Sequence, residues 1–150
     1  MKTTGVSILP LLVALAFASG PSPDALAGEI EVRALNRGSS GAVFVFSPEL
    51  VRIEPGDLIN FVAVDKGHEV HSVAGMIPEG AQPFAGGMNQ DVKATFSVPG
   101  VYVVACKPHM PMGMLAVVVV GSPVNLDKID PATLTGKARS KLESLLASLR

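Results

Sequence analysis

The chain is short of three things, and each shortage removes a class of protein. It has one cysteine in 150 residues. That rules out an intrachain disulfide and a C-x-x-C redox pair. It has little excess charge, with 12 Lys and Arg against 13 Asp and Glu. A balance of this kind gives no reason to expect nucleic acid as a partner. It has no apolar run of the roughly 20 residues needed to span a bilayer. Glycine and proline are plentiful, at 15 and 12, but follow no repeating period. This composition suits a compact β protein with many turns and excludes collagen and coiled coil. The length fits one domain.

The first residues read as an address. Lys2 gives a positive start, and residues 6–18 are apolar apart from Ser7 and Pro10. Pro21 and Pro23 end any helix, and Ala25-Leu26-Ala27 offers a small-residue cleavage site. Together these make a secretory signal peptide over residues 1–27. A membrane anchor is the competing reading, but the apolar core is too short and its flank too rich in proline. Cleavage leaves residues 28–150 as the mature domain, exported and with no membrane segment. Export sharpens the cysteine argument, because a lone thiol in an oxidising compartment can pair with another chain. Either Cys106 is buried and inert, or a metal holds it.

The mature chain reads as short strands. Residues 29–35 and 92–98 alternate polar and apolar, as strands with one wet face do. Further strands are expected over 42–46, 50–53, 58–64 and 69–74, separated by Gly- and Pro-containing turns. Residues 101–106 and 115–120 are nearly continuous apolar runs, as in central strands. Residues 75–91 form a long loop without period. Seven or eight strands at this spacing predict an all-β sandwich with Greek-key connections. From about residue 124 the pattern turns helical. A short helix is expected near 125–129, and Leu142, Leu145, Leu146 and Leu149 recur at helical spacing. This extension is expected to pack on the sandwich rather than form a second domain.

The chemistry lies in Cys106-Lys-Pro-His109-Met-Pro-Met-Gly-Met114, a C-x2-H-x4-M loop between two strands. His68 and His71 lie upstream. One thiolate, two imidazoles and a thioether are the donors of a trigonal blue-copper site with a weak axial Met. Zinc favours more thiolates or a carboxylate, or keeps an open position for water. A set filled by protein leaves no vacancy for substrate, so it moves electrons rather than making bonds. Met114 directly precedes a buried strand and is the expected axial donor, with Met110 and Met112 at the surface. A nucleophilic Cys-His pair is the competing chemistry, but it leaves His68 and Met114 without a role. His68 and His71 are three apart and face opposite sides of an ideal strand, so only one can join Cys106. Parity alone does not say which.

Five stretches carry a resemblance: Leu35-Asn-Arg-Gly38, Glu54-Pro-Gly-Asp57, Asp65-Lys-Gly-His-Glu-Val70, Gly75-Met-Ile-Pro-Glu-Gly80 and the Cys106–Met114 loop. In these the mature chain resembles the pseudoazurins, type 1 copper proteins of the cupredoxin superfamily. The resemblance implies a cupredoxin sandwich of about eight strands with a C-terminal helical extension. It implies one type 1 copper ion held by His68, Cys106, His109 and Met114, with His71 outside the ligand set. It further implies no enzyme but a periplasmic carrier, a monomer, exchanging single electrons with nitrite reductase, nitrous-oxide reductase or a c-type cytochrome. A copper-binding or delivery protein is the alternative.

The chain departs from its family where Asn usually follows the first His and Thr follows the Cys. Here Glu69 and Lys107 stand, and an ion pair between them is expected. The Glu69 N–H is the expected donor to the Cys106 sulfur. Pro108 has no N–H to give it a second bond, which should lower the reduction potential. Met110, Pro111 and Met112 around His109 form the expected docking patch, with Lys66 and Lys107 placed to steer an acidic partner.

Overall fold

The computed structural model describes residues 27–150, so the expected signal peptide lies outside the described residues apart from Ala27. Eight strands follow in order: β1 Glu29–Arg37, β2 Val43–Ser47, β3 Leu50–Ile53, β4 Leu58–Ala63, β5 Val70–Ser72, β6 Val92–Thr95, β7 Gly100–Cys106 and β8 Leu115–Val120. They make two four-stranded sheets, ordered β2-β1-β4-β6 and β3-β8-β7-β5. β1 runs parallel to β4, and β3 runs parallel to β8. The other neighbours are antiparallel.

Alternation decides what faces inward. Val32, Ala34, Ile59, Phe61, Val92 and Ala94 of the first sheet meet Tyr102, Val104, Cys106, Ala116, Val118 and Val120 of the second. β7 and β8 are buried along their whole length. Their outward residues, among them Val101, Val103, Leu115, Val117 and Val119, lie under a second apolar layer. A strand covered on both faces has no wet side to encode, which is why its sequence reads as an unbroken apolar run.

The covering layer is the C-terminal extension. A 3-10 turn at Leu126–Lys128 stands where a short helix was expected, a second follows at Pro131–Thr133, and helix α1 spans Gly136–Ala147. Ala138, Leu142 and Leu146 are its buried residues, one above another at helical spacing. Each buried Leu contributes about 1.5–3 kcal/mol of hydrophobic stabilisation.

Several strand boundaries shift by one to three residues from the sequence reading, among them the ends of β1, β5 and β6. β1 runs on to Arg37, because Leu35 and Arg37 still pair with Val45 and Val43. β6 stops at Thr95, and beyond it Phe96 bonds to the Glu54–Asp57 turn that precedes β4: its N–H donates to the Asp57 carbonyl and its carbonyl accepts the Gly56 N–H. Residues 75–91 contain no strand, apart from a single bridge between Ala85 and His71.

Candidate metal centre

Three of the expected donors come together at one end of the sandwich. Register explains two of them. Val70 of β5 pairs with Cys106, the last residue of β7, and His68 lies two residues before Val70. Cys106 and His68 are fully buried. The third follows from a tight reversal after β7. The His109 N–H donates to the Cys106 carbonyl at 3.1 Å, and the Met114 N–H donates to the His109 carbonyl at 3.2 Å. Between them Met110–Met112 forms one 3-10 turn, closed by Gly113 at φ +91°. The Cys106 N–H then donates to the Met114 carbonyl at 3.1 Å. Cysteine, histidine and methionine thus occupy one closed loop.

The donor atoms form a nearly equilateral triangle. Cys106 Sγ is 3.6 Å from His68 Nδ1 and 3.5 Å from His109 Nδ1, and the two nitrogens are 3.3 Å apart. A point equidistant from all three lies about 2 Å from each, the length of a metal–imidazole bond. The Cys106, His68 and His109 ligating atoms are the group among the described residues that meets the geometry for holding a metal ion. Met114 is fully buried beside them and belongs to the inter-sheet core. His71 lies on the other face of β5, as parity requires: Val70 and Ser72 are buried with His68, while Glu69 and His71 are only half-buried.

Burial sets the electrostatics of the site. It pushes the His68 imidazole below its ordinary value, and the nearby His109 adds to this, against the opposing charge of Asp65. It pushes the Cys106 thiol up. The backbone N–H groups of Glu69 and His109 pull the thiol the other way. The Glu69 amide is the one the sequence reading expects beside the sulfur, while the His109 N–H also donates to the Cys106 carbonyl. A buried neutral imidazole facing a buried thiol suits a soft cation, which takes the place of the thiol proton. His71 is likewise pushed down by burial.

Two loops are tied together behind the ligands. Lys107 N–H donates to the Glu69 carbonyl at 2.9 Å. The Lys107 ammonium is 3.4 Å from the Glu69 carboxylate, so the expected ion pair forms. Lys66, Pro111 and Met112 are exposed as expected, and Pro108 is exposed too. Met110 is not: it is half-buried against the second apolar layer, because the 3-10 turn rotates it toward α1.

Two positions in the site escaped sequence reading. Phe44 lies near the start of β2, far from the loop in sequence, yet its ring stacks on that of His109. Asn89 belongs to the long loop and holds both sides of His68. Its side-chain oxygen accepts the Gly67 N–H at 2.6 Å, and its own N–H donates to the His68 carbonyl at 2.7 Å. Its φ of +61° suits Asn, which tolerates the left-handed region. An Asn within a long structured loop was the available signal.

Comparison with known proteins agrees with this geometry. Residues 32–121 match the model of the copper binding proteins of the plastocyanin/azurin family. The chain is 45% identical over 120 residues to pseudoazurin of Paracoccus pantotrophus, covering 79% of this chain and 82% of the relative. It is 37% identical over 140 residues to a putative pseudoazurin of Rhizobium leguminosarum bv. viciae, covering 93% and 91%. The structure superposes on native pseudoazurin from Hyphomicrobium denitrificans with a TM-score of 0.77 at 40% identity, covering 81% of this chain and 98% of that one. The chain therefore belongs to the pseudoazurins, copper-binding cupredoxins that carry electrons and are not enzymes.

Proposed function

We propose that His68, Cys106, His109 and Met114 hold a single type 1 copper ion, and that the mature protein, residues 28–150, carries single electrons between redox proteins of the periplasm. The observation that carries this reading is the buried triangle of Cys106 Sγ, His68 Nδ1 and His109 Nδ1, with sides of 3.3–3.6 Å. The Lys2, apolar-core and Ala25–Ala27 pattern of the first 27 residues supports export.

Copper bound here would supply a one-electron Cu(II)/Cu(I) couple. The residues supply the rest. Cys106 is the strong thiolate donor, placed at the end of a fully buried strand. His68 and His109 would complete the donor set with Cys106, and the buried Met114 thioether would be the weak fourth donor, the kind that tunes potential. Side chains held on a preformed sandwich would move little between the two charge states of the copper, which suits electron transfer. The backbone N–H groups of Glu69 and His109 favour the Cys106 thiolate, the form in which it would hold copper.

Half-buried His109 is the exit, where a partner's cofactor comes nearest. Large apolar side chains that stand exposed among the described residues are Val43, Val64, Met88, Met112 and Val124. Four of them flank the site in sequence: Val43 beside Phe44, Val64 leading into the His68 turn, Met88 beside Asn89, and Met112 in the copper loop. Exposed apolar surface gathered at one pole suits a brief encounter of small area. Pro111, Met112, Lys66 and Lys107 contribute to that docking face, and Met110 underlies it. The lysines would steer an acidic partner. Nitrite reductase, nitrous-oxide reductase and a c-type cytochrome are the candidates, and the carrier is read as a monomer.

The test is to load the mature protein with Cu(II) and record its visible spectrum beside that of Cys106→Ala. An intense thiolate-to-copper band, absent in the variant and bleached reversibly by a reductant, is the expected result. A colourless protein with preference for zinc, or a thiol freely alkylated after copper loading, would overturn the reading. Ready release of copper with poor redox cycling would point to delivery instead. Steering is tested by the association rate with each candidate enzyme: a rate flat with ionic strength removes it.

A further inference from the structure

The C-terminal helix ends its path against the loop that carries the proposed ligands. Gly113 lies so close to the first turn of α1 that a Cβ there would be 3.3 Å from the Lys137 carbonyl oxygen and 3.6 Å from the Lys137 Cβ. Met110 lies over the same turn, where it shares a small cavity with Leu134, Thr135 and Ala138. Ala138 is 97% buried, at 3% exposure. From the other side Lys141 grips both carboxylate oxygens of Glu49 at 2.8 and 2.9 Å. The Glu49 carbonyl in turn accepts the Val117 N–H of β8 at 2.8 Å. The helix is therefore anchored to the sandwich independently of the loop and can act on it as a wall.

The loop itself is lightly built. Between Cys106 and Leu115 its internal order rests on one 3-10 turn and the bonds that close it. Most of its side chains face water: Lys107, Pro108, Pro111 and Met112 are exposed. Only Met110 and Gly113 press inward against something other than the site, and both press on α1.

We propose that the first turn of α1 is a positioning element of the metal centre: Ala138 and the Lys137 backbone hold Met110 and Gly113 in place, and through them fix Met114 relative to His109. The inference rests on the ligand assignment above, since Met114 and His109 matter here as ligands. It assigns the extension a role in tuning the site, beyond covering the outer face of β7 and β8. An axial donor alters potential and spectrum through its distance, so a wall that sets the loop sets both.

The experiment compares Ala138→Val, which adds bulk toward Met110, with Leu146→Ala at the far end of the same helix. Leu146→Ala costs more overall stability without touching the loop. Amide hydrogen exchange of Met112, Gly113 and Met114 is read in the metal-free protein. Reduction potential and the relative intensities of the charge-transfer bands are read after Cu(II) loading. Ala138→Val is expected to speed exchange at those three amides by about tenfold or more, with the interior amides of β7 and β8, such as Val103 and Val117, unchanged, and to shift the potential and band ratio. Leu146→Ala is expected to leave the loop amides and the spectrum as in the parent. If Ala138→Val leaves both unchanged, or if Leu146→Ala changes them equally, the helix is only a cover and the proposal is wrong. Met110→Ala approaches the same contact from the loop side, and it serves if Ala138→Val does not fold. A parent protein without the blue band would sink the copper reading, while the exchange data would still decide whether α1 holds the loop.

Discussion

The ring of Phe44 lies flat on the ring of His109, with centroids 3.9 Å apart and planes 12° from parallel. Its backbone has a φ of +52°, a left-handed conformation that costs a bulky residue about 1–3 kcal/mol. The contact therefore joins β2 of one sheet to the copper loop of the other at a local backbone cost. Phe44→Ala loses the stack and keeps the strained backbone. Phe44→Gly loses the stack and relieves the strain. We expect Phe44→Gly to be more stable than Phe44→Ala by about 1 kcal/mol, and both to be less stable than the parent in urea. Phe44→Ala matching the parent would show that the stack contributes nothing.

The Glu69–Lys107 pair spans the loops that carry His68 and Cys106. Lys107 is 71% exposed and Glu69 21%, so solvent and salt screen it. A double-mutant cycle with Glu69→Gln and Lys107→Met should give a coupling of about 0.2–1 kcal/mol at low salt. That coupling should shrink as salt is raised. A coupling of zero at low salt would mean two independent solvated charges.

Asn89→Ala removes the acceptor for the Gly67 N–H and puts a less tolerant residue at φ +61°. The expected cost is about 1–2 kcal/mol, from one hydrogen bond and one strained backbone. The Gly67 amide should exchange faster than in the parent, while amides of β1 keep their protection. Unchanged Gly67 protection would show that the Asn89 side chain does not hold the His68 turn.

Acid should weaken the fold through Asp57. Its carboxylate accepts the Gly28 and Glu54 N–H groups at 2.6 and 2.9 Å. The Glu54 and Gly28 bonds hold its pKa below the ordinary 3.8. A depressed folded-state pKa stabilises above the unfolded value and is lost as pH falls through the folded one. The parent should therefore lose melting temperature below pH 3.8 more steeply than Asp57→Asn, which has no charge to lose. Parallel curves for the two proteins would remove Asp57 from the acid response.

Leu142 tests the C-terminal extension as part of the fold. It is fully buried on α1 against the second sheet. Leu142→Ala should destabilise the whole domain by about 2–5 kcal/mol. Helix and sheet signals should be lost in one transition. A helix that melts separately, with the sandwich unaffected, would show it to be an independent appendage.

The sequence determined the class of fold and the donor set. Period-two alternation and unbroken apolar runs report whether a strand is covered on one face or two, and both were legible. Cys106, His109 and Met114 share one short loop, so spacing alone placed them together. The two-histidine question divides differently. Parity excluded a joint role for His68 and His71, resemblance pointed to His68, and the pairing of Val70 with Cys106 brings it into the site. Tertiary structure alone decided the rest. Phe44 reaches His109 across 65 positions of sequence, Asn89 returns from the long loop to His68, and α1 folds back onto Met110 and Gly113. Such contacts depend on strand register and on the course of long connections. A local pattern records burial and period, and carries no term for what arrives from elsewhere in the chain.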